Sequence, residues 1–90
     1  MREFEIKQSL HKKLEKLAKK DKSTYEAVLN KIDEILNSYD VDHYKNLRYD
    51  MKESKRVHIG HFVLVFSYDR YRDVIIFEDY DHHDTIYGRP

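Results

Sequence analysis

Two apolar runs in the C-terminal third of the chain limit the fold most strongly. Phe62 to Tyr68 and Val74 to Phe77 are rich in β-branched and aromatic residues, which favour strands over helices. Asp69 to Asp73 lies between them and predicts a hairpin connection. The chain is therefore expected to build an antiparallel sheet on which its other segments pack.

A third strand is predicted just before the first of these runs. In Lys55 to Ile59, Arg56 and His58 point to one face because successive side chains of a strand alternate. The apolar residues between and after them point to the other face. Gly60-His61 predicts a tight reversal into the next strand, and Thr85 to Tyr87 is interpreted as a short final strand.

The N-terminal part predicts a short strand and two helices. Phe4 and Ile6 alternate with charged residues, as in a half-buried strand, and Ser9 is the predicted N-cap of the first helix. Ser23 and Glu26 have the spacing of a capping box for the second helix. The apolar stripe of that helix comprises Tyr25, Val28, Leu29, Ile32, Ile35, Leu36 and Tyr39. Such a stripe needs a sheet to cover it.

From Asp40 to Ser54 the periodicity fades, which predicts an irregular connection. The predicted fold class is therefore α+β: strand, helix, helix, then three or four strands, with the helical hairpin packed on a small antiparallel sheet. Residues 1–90 are expected to form a single domain, because 90 residues have room for one core.

Composition narrows the classes of function. The chain has no cysteine, which excludes disulfides and thiolate metal sites. No apolar run approaches the length of a membrane span, and the N-terminal residues lack the apolar middle of a signal peptide. A cytoplasmic protein without a membrane partner is the resulting prediction.

The distribution of charge is more informative than its total. Lys plus Arg and Asp plus Glu number 17 each, but His43 to Arg72 holds seven basic residues against three acidic ones. Asp73 to Tyr87 holds five acidic residues and no Lys or Arg. A neutral chain with this distribution can present a basic patch to an anionic ligand.

Two segments carry a resemblance to a known family. They are Arg56-Val57-His58-Ile59-Gly60-His61-Phe62-Val63-Leu64-Val65-Phe66 and His82-His83-Asp84-Thr85-Ile86-Tyr87. Together with the order of strands and helices, they resemble the RelE/ParE family of toxins from toxin-antitoxin modules. The resemblance covers essentially the whole chain and implies a RelE/ParE-like fold.

That resemblance also implies an activity. A RelE-like toxin is expected to cut messenger RNA in the ribosomal A site, without a metal or other cofactor, through attack of the ribose 2'-hydroxyl on the adjacent phosphate. Its expected partners are the ribosome, messenger RNA and a RelB-like antitoxin that holds it inactive.

Four residues are the predicted catalytic group. Arg56 takes the place of a basic residue of the family, and its guanidinium suits a bidentate hold on phosphate. His58, on the same strand face, is a candidate general base or phosphate donor. His83 stands where many family members have a catalytic arginine and is a candidate for proton transfer. Tyr87 matches a C-terminal tyrosine that stacks on a base or orients the hydroxyl.

The chain departs from the family pattern at Val63, which stands in the place of an arginine. Basic residues predicted to contact phosphate instead are Arg48, Lys52, Lys55 and Arg89. A zinc site built from Asp81, His82, His83 and Asp84 is the weaker alternative, because adjacent histidines in a strand point to opposite faces.

Two other functions stay open at this point. Val63 favours a ParE-like poison of DNA gyrase, which shares the fold but lacks the basic catalytic group. The third interpretation is an attenuated toxin that mainly binds its antitoxin, through the apolar helical faces and exposed sheet edges.

Overall fold

The computed structural model describes residues 1–48 and 51–88, and it places them in one five-stranded sheet with helices on both faces. The strands are β1 (Glu3–Ile6), β2 (Asn46–Arg48), β3 (Met51–Ile59), β4 (Phe62–Asp69) and β5 (Val74–His82). The helices are α1 (Gln8–Lys20), α2 (Lys22–Leu36) and α3 (His83–Tyr87), with a 3₁₀ turn at Val41–His43. Over these ranges, the helices lack the combined length and apolarity that spanning a membrane requires. The α+β class and the helical hairpin are as predicted.

The sheet has the strand order β1-β5-β4-β3-β2. The pairs β2–β3, β3–β4 and β4–β5 are antiparallel, whereas β1 joins the edge of β5 in parallel, with Glu3 opposite Val74 and Ile6 opposite Phe77. A parallel neighbour requires a long crossover. The helical hairpin lies within that crossover, so it covers one face of the sheet.

The main core lies between this hairpin and the sheet. Leu64 and Phe66 of β4 and Ile75 and Phe77 of β5 are fully buried there. The helices contribute Leu10, Leu14, Val28, Ile32, Ile35 and Leu36. The predicted stripe of α2 extends too far, because α2 ends at Leu36 and Tyr39 is fully exposed.

A second, smaller core lies on the opposite face of the sheet. Val63 and Val65 alternate with the buried residues of the main core, so they point away from the hairpin. Ile86 of α3 is buried against them, and Leu47 and Tyr87 pack at the margin. β4 is therefore buried on both faces.

Both predicted helix starts are wrong. α1 begins at Gln8, and its N-cap, Lys7, makes no side-chain capping bond. The second helix is capped by Asp21, whose Oδ1 accepts the Thr24 N–H at 3.1 Å and whose Oδ2 accepts the Thr24 hydroxyl at 2.6 Å. Asp21 alone separates α1 from α2, so Ser23 falls inside the first turn instead of preceding it.

The predicted irregular connection, Asp40 to Ser54, is also partly wrong. It contains the 3₁₀ turn and β2, and β3 begins within it at Met51. β2 is short and is an edge strand, with only Leu47 as an apolar residue, so it leaves little periodicity in the sequence.

The predicted final strand, Thr85 to Tyr87, is a helix. β5 continues to His82, and α3 follows at once. Asp84 lies in the first turn, where a carboxylate favours a helix start, and the Gly88 N–H closes the last turn on the Asp84 carbonyl at 2.9 Å. These end signals determine the structure of a segment too short for periodicity to identify.

The cap of α2 gives a test of the corrected helix start. Replacing Asp21 with Ala is expected to lower the thermal midpoint by about 4–8 °C, since a lost cap has an effect of this size in a small domain. Ser23→Ala, which removes no capping bond, is the matched control and should leave the midpoint nearly unchanged. Thermal unfolding followed by circular dichroism measures both.

The same cap predicts a dependence on pH. The hydrogen bonds from the Thr24 side chain and then its backbone lower the pKa of Asp21 from its ordinary 3.8. A lowered carboxyl pKa stabilises the fold above that ordinary value, and the contribution is lost as the pH falls through the folded pKa. The difference between wild type and Asp21→Ala should therefore shrink in acid. An equal loss in Ser23→Ala would contradict the assignment.

Candidate functional site

Arg56 and His58 lie on the face of β3 that points away from the helical hairpin. In the antiparallel register Arg56 is opposite Val65 and His58 is opposite Val63, the two β4 residues of the smaller core. The residues Val57 and Ile59 pack against the main core instead. The predicted division of β3 into a polar and an apolar face is confirmed.

α3 brings the other two predicted residues to the same place. The ring centroids of His58 and His83 are 5.6 Å apart, those of His58 and Tyr87 are 6.4 Å apart, and those of His83 and Tyr87 are 4.6 Å apart. His83 and Tyr87 are the first and last residues of α3. Burial of Ile86 under the same helix fixes α3 on β4, so the three rings face one another.

Arg56 and His58 are in direct contact. The Nη1 atom of Arg56 lies 3.3 Å from Nδ1 of His58. A guanidinium has only donors, so Nδ1 is the acceptor and His58 carries its proton on Nε2. The Nε atom of Arg56 is buried and has no hydrogen-bond partner among the residues that the structure describes. A guanidinium has five N–H donors, so the contact with His58 does not use its whole hydrogen-bonding capacity.

The surroundings of His58 favour its neutral form. Desolvation of the ring lowers the pKa of His58 from its ordinary 6.5, and the positive charges of Arg56 and of protonated His83 lower it further. A neutral imidazole at neutral pH can accept a proton, as a general base must. Arg56, His58, His83 and Tyr87 are called the His58 cluster below.

Of the residues predicted to contact phosphate, Lys55 lies on the opposite face. Its side chain is almost fully buried, and Nζ donates to the Tyr44 carbonyl at 3.2 Å and to Asn46 Oδ1 at 3.3 Å. Lys55 therefore holds Tyr44 and the first residue of β2 in place instead of joining the His58 cluster. For Arg48 and Lys52 only the placement in β2 and β3 is described, and Arg89 lies outside the described residues.

Val63 has a structural role in this chain. It is fully buried in the smaller core together with Val65 and Ile86. The valine that replaces the family arginine is thus part of the apolar surface against which α3 packs.

His82 and His83 contact different groups. The His82 ring lies 6.3 Å from that of His61 and 5.5 Å from that of Phe62, whereas His83 faces His58. Within residues 1–48 and 51–88, no three His, Asp or Glu side chains are grouped so that they would hold a metal ion. In the sequence His82 was a candidate only as a ligand of the alternative zinc site, whereas in the structure it is the N-cap of α3.

The acidic segment after Asp73 is largely compensated by basic residues of the N-terminal part. Arg2 pairs with Asp73 at 3.0 Å, and Lys7 pairs with Glu78 at 3.2 Å. Lys13 of α1 bridges two carboxylates, those of Asp79 at 2.7 Å and Asp81 at 2.9 Å. These pairs join residues more than 65 positions apart. They reduce the negative potential that the sequence suggested near the cluster.

Comparison of the sequence with known proteins finds two archaeal relatives. The chain is 50% identical over 90 residues to the protein of Methanocaldococcus jannaschii named "Putative toxin RelE4", covering 99% of this chain and 94% of the relative. It is 52% identical over 85 residues to an uncharacterized protein of Methanosarcina mazei, covering 93% and 96% of the two chains. No protein-family model matches the chain.

Solved structures with a similar fold are toxins and toxin-antitoxin complexes. The isolated RelE toxin of Escherichia coli aligns with a TM-score of 0.75 and 15% identity, covering 91% of this chain and 84% of that one. The intact RelBE toxin-antitoxin complex of Escherichia coli gives 0.74 and 15%, covering 91% and 96%. The RelBE2 toxin-antitoxin complex of Mycobacterium tuberculosis gives 0.71 and 17%, covering 90% and 96%.

The electrostatic coupling inside the His58 cluster can be measured directly. The NMR titration midpoint of His58 is expected below 6.5, its ordinary value, and Arg56→Gln should raise it towards that value because one positive charge is removed. A histidine with a lowered folded pKa destabilises the fold as the pH falls below its ordinary value, since the unfolded chain then binds the proton more readily.

The matched control for this titration is Arg70→Gln. Arg70 follows β4 at the end remote from His58 and binds Asp42 through two hydrogen bonds of 2.9 Å each. Its removal should leave the His58 midpoint unchanged. An equal shift in both variants would mean that net charge, and not the contact with Arg56, sets the midpoint.

Proposed function

Because the chain belongs to the RelE family of toxins, we propose that it is the toxin of a toxin-antitoxin module and that it cleaves messenger RNA on the ribosome. The proposed reaction uses the ribose 2'-hydroxyl as the nucleophile and needs no metal ion. The proposed catalytic residues are Arg56, His58, His83 and Tyr87.

One observation carries this proposal. β3 and α3 are separated by two strands in sequence, yet their four chemically suited side chains meet on one face of the sheet. A guanidinium beside two imidazoles offers both a phosphate ligand and two groups for proton transfer. A surface built only to bind a partner would have no need of this combination.

In the proposed reaction, neutral His58 removes the proton of the 2'-hydroxyl as that oxygen attacks phosphorus. The bond from phosphorus to the 5'-oxygen breaks, and protonated His83 gives its proton to that leaving oxygen. The products are a 2',3'-cyclic phosphate and a 5'-hydroxyl end. The proton gained by His58 and the proton lost by His83 balance, and water restores both states before the next turnover.

Arg56 is proposed to act in two ways. Its guanidinium binds the oxygens of the scissile phosphate and stabilises the charge that develops there. In the free protein it also donates to Nδ1 of His58, the lone pair that the base requires. When Arg56 turns to the phosphate, that lone pair is released, so substrate binding prepares the base.

Tyr87 is proposed to position the RNA. Its ring lies 4.6 Å from that of His83 and is only partly buried. Stacking of a base on an aromatic ring tolerates any sequence. This role fits a toxin that cuts many messages.

The cleavage proposal has a direct assay. Purified protein added to translating ribosomes should cut the message, and His58→Ala or His83→Ala should each slow the single-turnover rate at least about a hundredfold, the usual effect of losing an acid-base group. Arg56→Ala should be impaired to a similar extent, through loss of transition-state stabilisation. Primer extension locates the cut, and the end groups identify the chemistry.

His11→Ala is the matched control, because His11 is an exposed histidine of α1 that pairs with Glu15 at 2.8 Å. It should cut like the wild type. Intact messages in the wild-type reaction would contradict the proposal. Growth arrest with DNA damage and uncut message would instead select the gyrase alternative.

We also propose an antitoxin as the partner of this chain. The two toxin-antitoxin complexes above share its fold. Three large apolar side chains, Phe4, Leu29 and Phe62, stay between 38% and 44% exposed. Apolar surface on the helices and at the sheet edge suits an extended or helical segment of another chain.

The antitoxin proposal predicts tight co-purification. The chain expressed alone should arrest growth, and co-expression with the product of the neighbouring reading frame should restore growth and yield a stable complex. The double variant His58→Ala/His83→Ala is the control: it should lose toxicity and keep the complex. A wild-type chain that is toxic but never co-purifies would contradict the proposed partner.

A further inference from the structure

His82 is the residue at which β5 turns into α3. Its Nδ1 accepts the backbone N–H of Asp84 at 3.1 Å, in the manner of a helix N-cap. A backbone N–H can only donate, so Nδ1 must carry a lone pair, and the His82 ring must be neutral with its proton on Nε2. A histidine used as an N-cap therefore works only in one protonation state.

α3 depends on its ends more than most helices do. It has five residues, and an isolated helix of this length has almost no stability of its own. Besides the His82 cap, α3 is held by the buried side chain of Ile86 and by the His83 N–H, which donates to the His61 carbonyl at 2.8 Å. Loss of the cap removes one of few constraints on this segment.

We propose that His82 is a positioning residue: its neutral imidazole caps α3 and thereby holds His83 and Tyr87 against His58. The link to RNA cleavage rests on the function proposed above, whereas the capping role is independent of it. His82 is outside the His58 cluster, and its ring is directed towards His61 and Phe62.

Protonation would release this cap. A proton on Nδ1 turns the acceptor into a donor that faces the donor of Asp84, and it adds positive charge at a helix N-terminus, where positive charge is unfavourable. The protonated ring would turn towards the Asp84 carboxylate, whose Oδ2 lies 3.8 Å from Nδ1. Positioning of His83 and Tyr87 should therefore weaken in acid.

The charged groups around His82 come from each neighbouring element. His61 lies on the β3–β4 turn, and Asp84 lies on α3. Asp81 of β5 accepts the His82 N–H at 2.8 Å and is itself paired with Lys13 of α1. His83, the first residue of α3, has its Nδ1 atom 3.4 Å from Oδ1 of Asp84.

The test compares His82→Ala, which removes the cap, with His82→Asn, whose side chain can cap and does not titrate. Amide hydrogen exchange of Asp84 to Tyr87 is measured by NMR at about pH 7.5 and about pH 5.5, within the range in which histidine side chains change charge. In the wild type, protection should fall on acidification. In His82→Ala it should be roughly tenfold lower already at the higher pH, the effect of a lost cap. In His82→Asn it should stay near the wild-type level at both.

Cleavage on the ribosome gives the second readout. His82→Ala should lower kcat by a similar factor of roughly ten with little change in KM. His82→Asn should restore kcat, and its kcat should decrease less at low pH than that of the wild type, because the Asn cap does not titrate. His61→Ala is the matched control, because it removes the ring beside His82 without touching the bond to Asp84. It should leave exchange in α3 unchanged.

Three results would overturn the inference: normal protection in His82→Ala, failure of His82→Asn to restore protection, or the same loss in His61→Ala. A wild-type chain that shows the expected exchange pattern but cuts no RNA would refute the proposed function alone. In that case the capping role of His82 still holds.

Discussion

The burial of β4 on both faces is the constraint on which the rest of the structure depends. Leu64 and Phe66 pack under the helical hairpin, while Val63 and Val65 pack under α3. A strand buried on both sides reads as a continuous apolar run, which is what the sequence has at this point. Its two neighbours, β3 and β5, then have one covered and one partly open face. The His58 cluster lies on the open face of β3, beside the part of the sheet that α3 covers.

Ion pairs between the N-terminal part of the chain and β5 reduce the negative charge near this open face. The segment from Asp73 to Asp84 carries five carboxylates, and its C-terminal end adjoins the cluster. Because β1 lies beside β5 and α1 crosses it, Arg2, Lys7 and Lys13 reach those carboxylates. The parallel pairing of β1 thus has an electrostatic consequence as well as a topological one. A polyanion approaching Arg56 meets less negative charge than the linear sequence suggests.

The sequence predicted the elements that show hydrophobic periodicity over several residues. It failed at helix starts and at α3, where single capping residues determine the structure. Alternation along β3 predicted that Arg56 and His58 share a face, and the same alternation places Lys55 with the apolar residues, a consequence the phosphate prediction overlooked. The start of α2 was misplaced because Asp21 both ends α1 and caps α2, and the start of α1 was misplaced because its N-cap, Lys7, makes no side-chain capping bond. α3 was misjudged because five residues carry no usable period, so caps at both ends determine the structure. The meeting of β3 with α3 is a tertiary contact, and only the family resemblance anticipated it.

The valine at position 63 and the histidines of the cluster belong to one arrangement. Val63 of β4 is fully buried against Ile86 of α3. An arginine at this position would place a charge in an apolar site, at a high cost in free energy. Valine instead seats α3, and α3 in turn brings His83 to His58. With valine in place of the guanidinium, α3 packs on β4 and places the imidazole of His83 beside His58. The valine is therefore compatible with the proposed reaction, in which His58 and His83 transfer the protons.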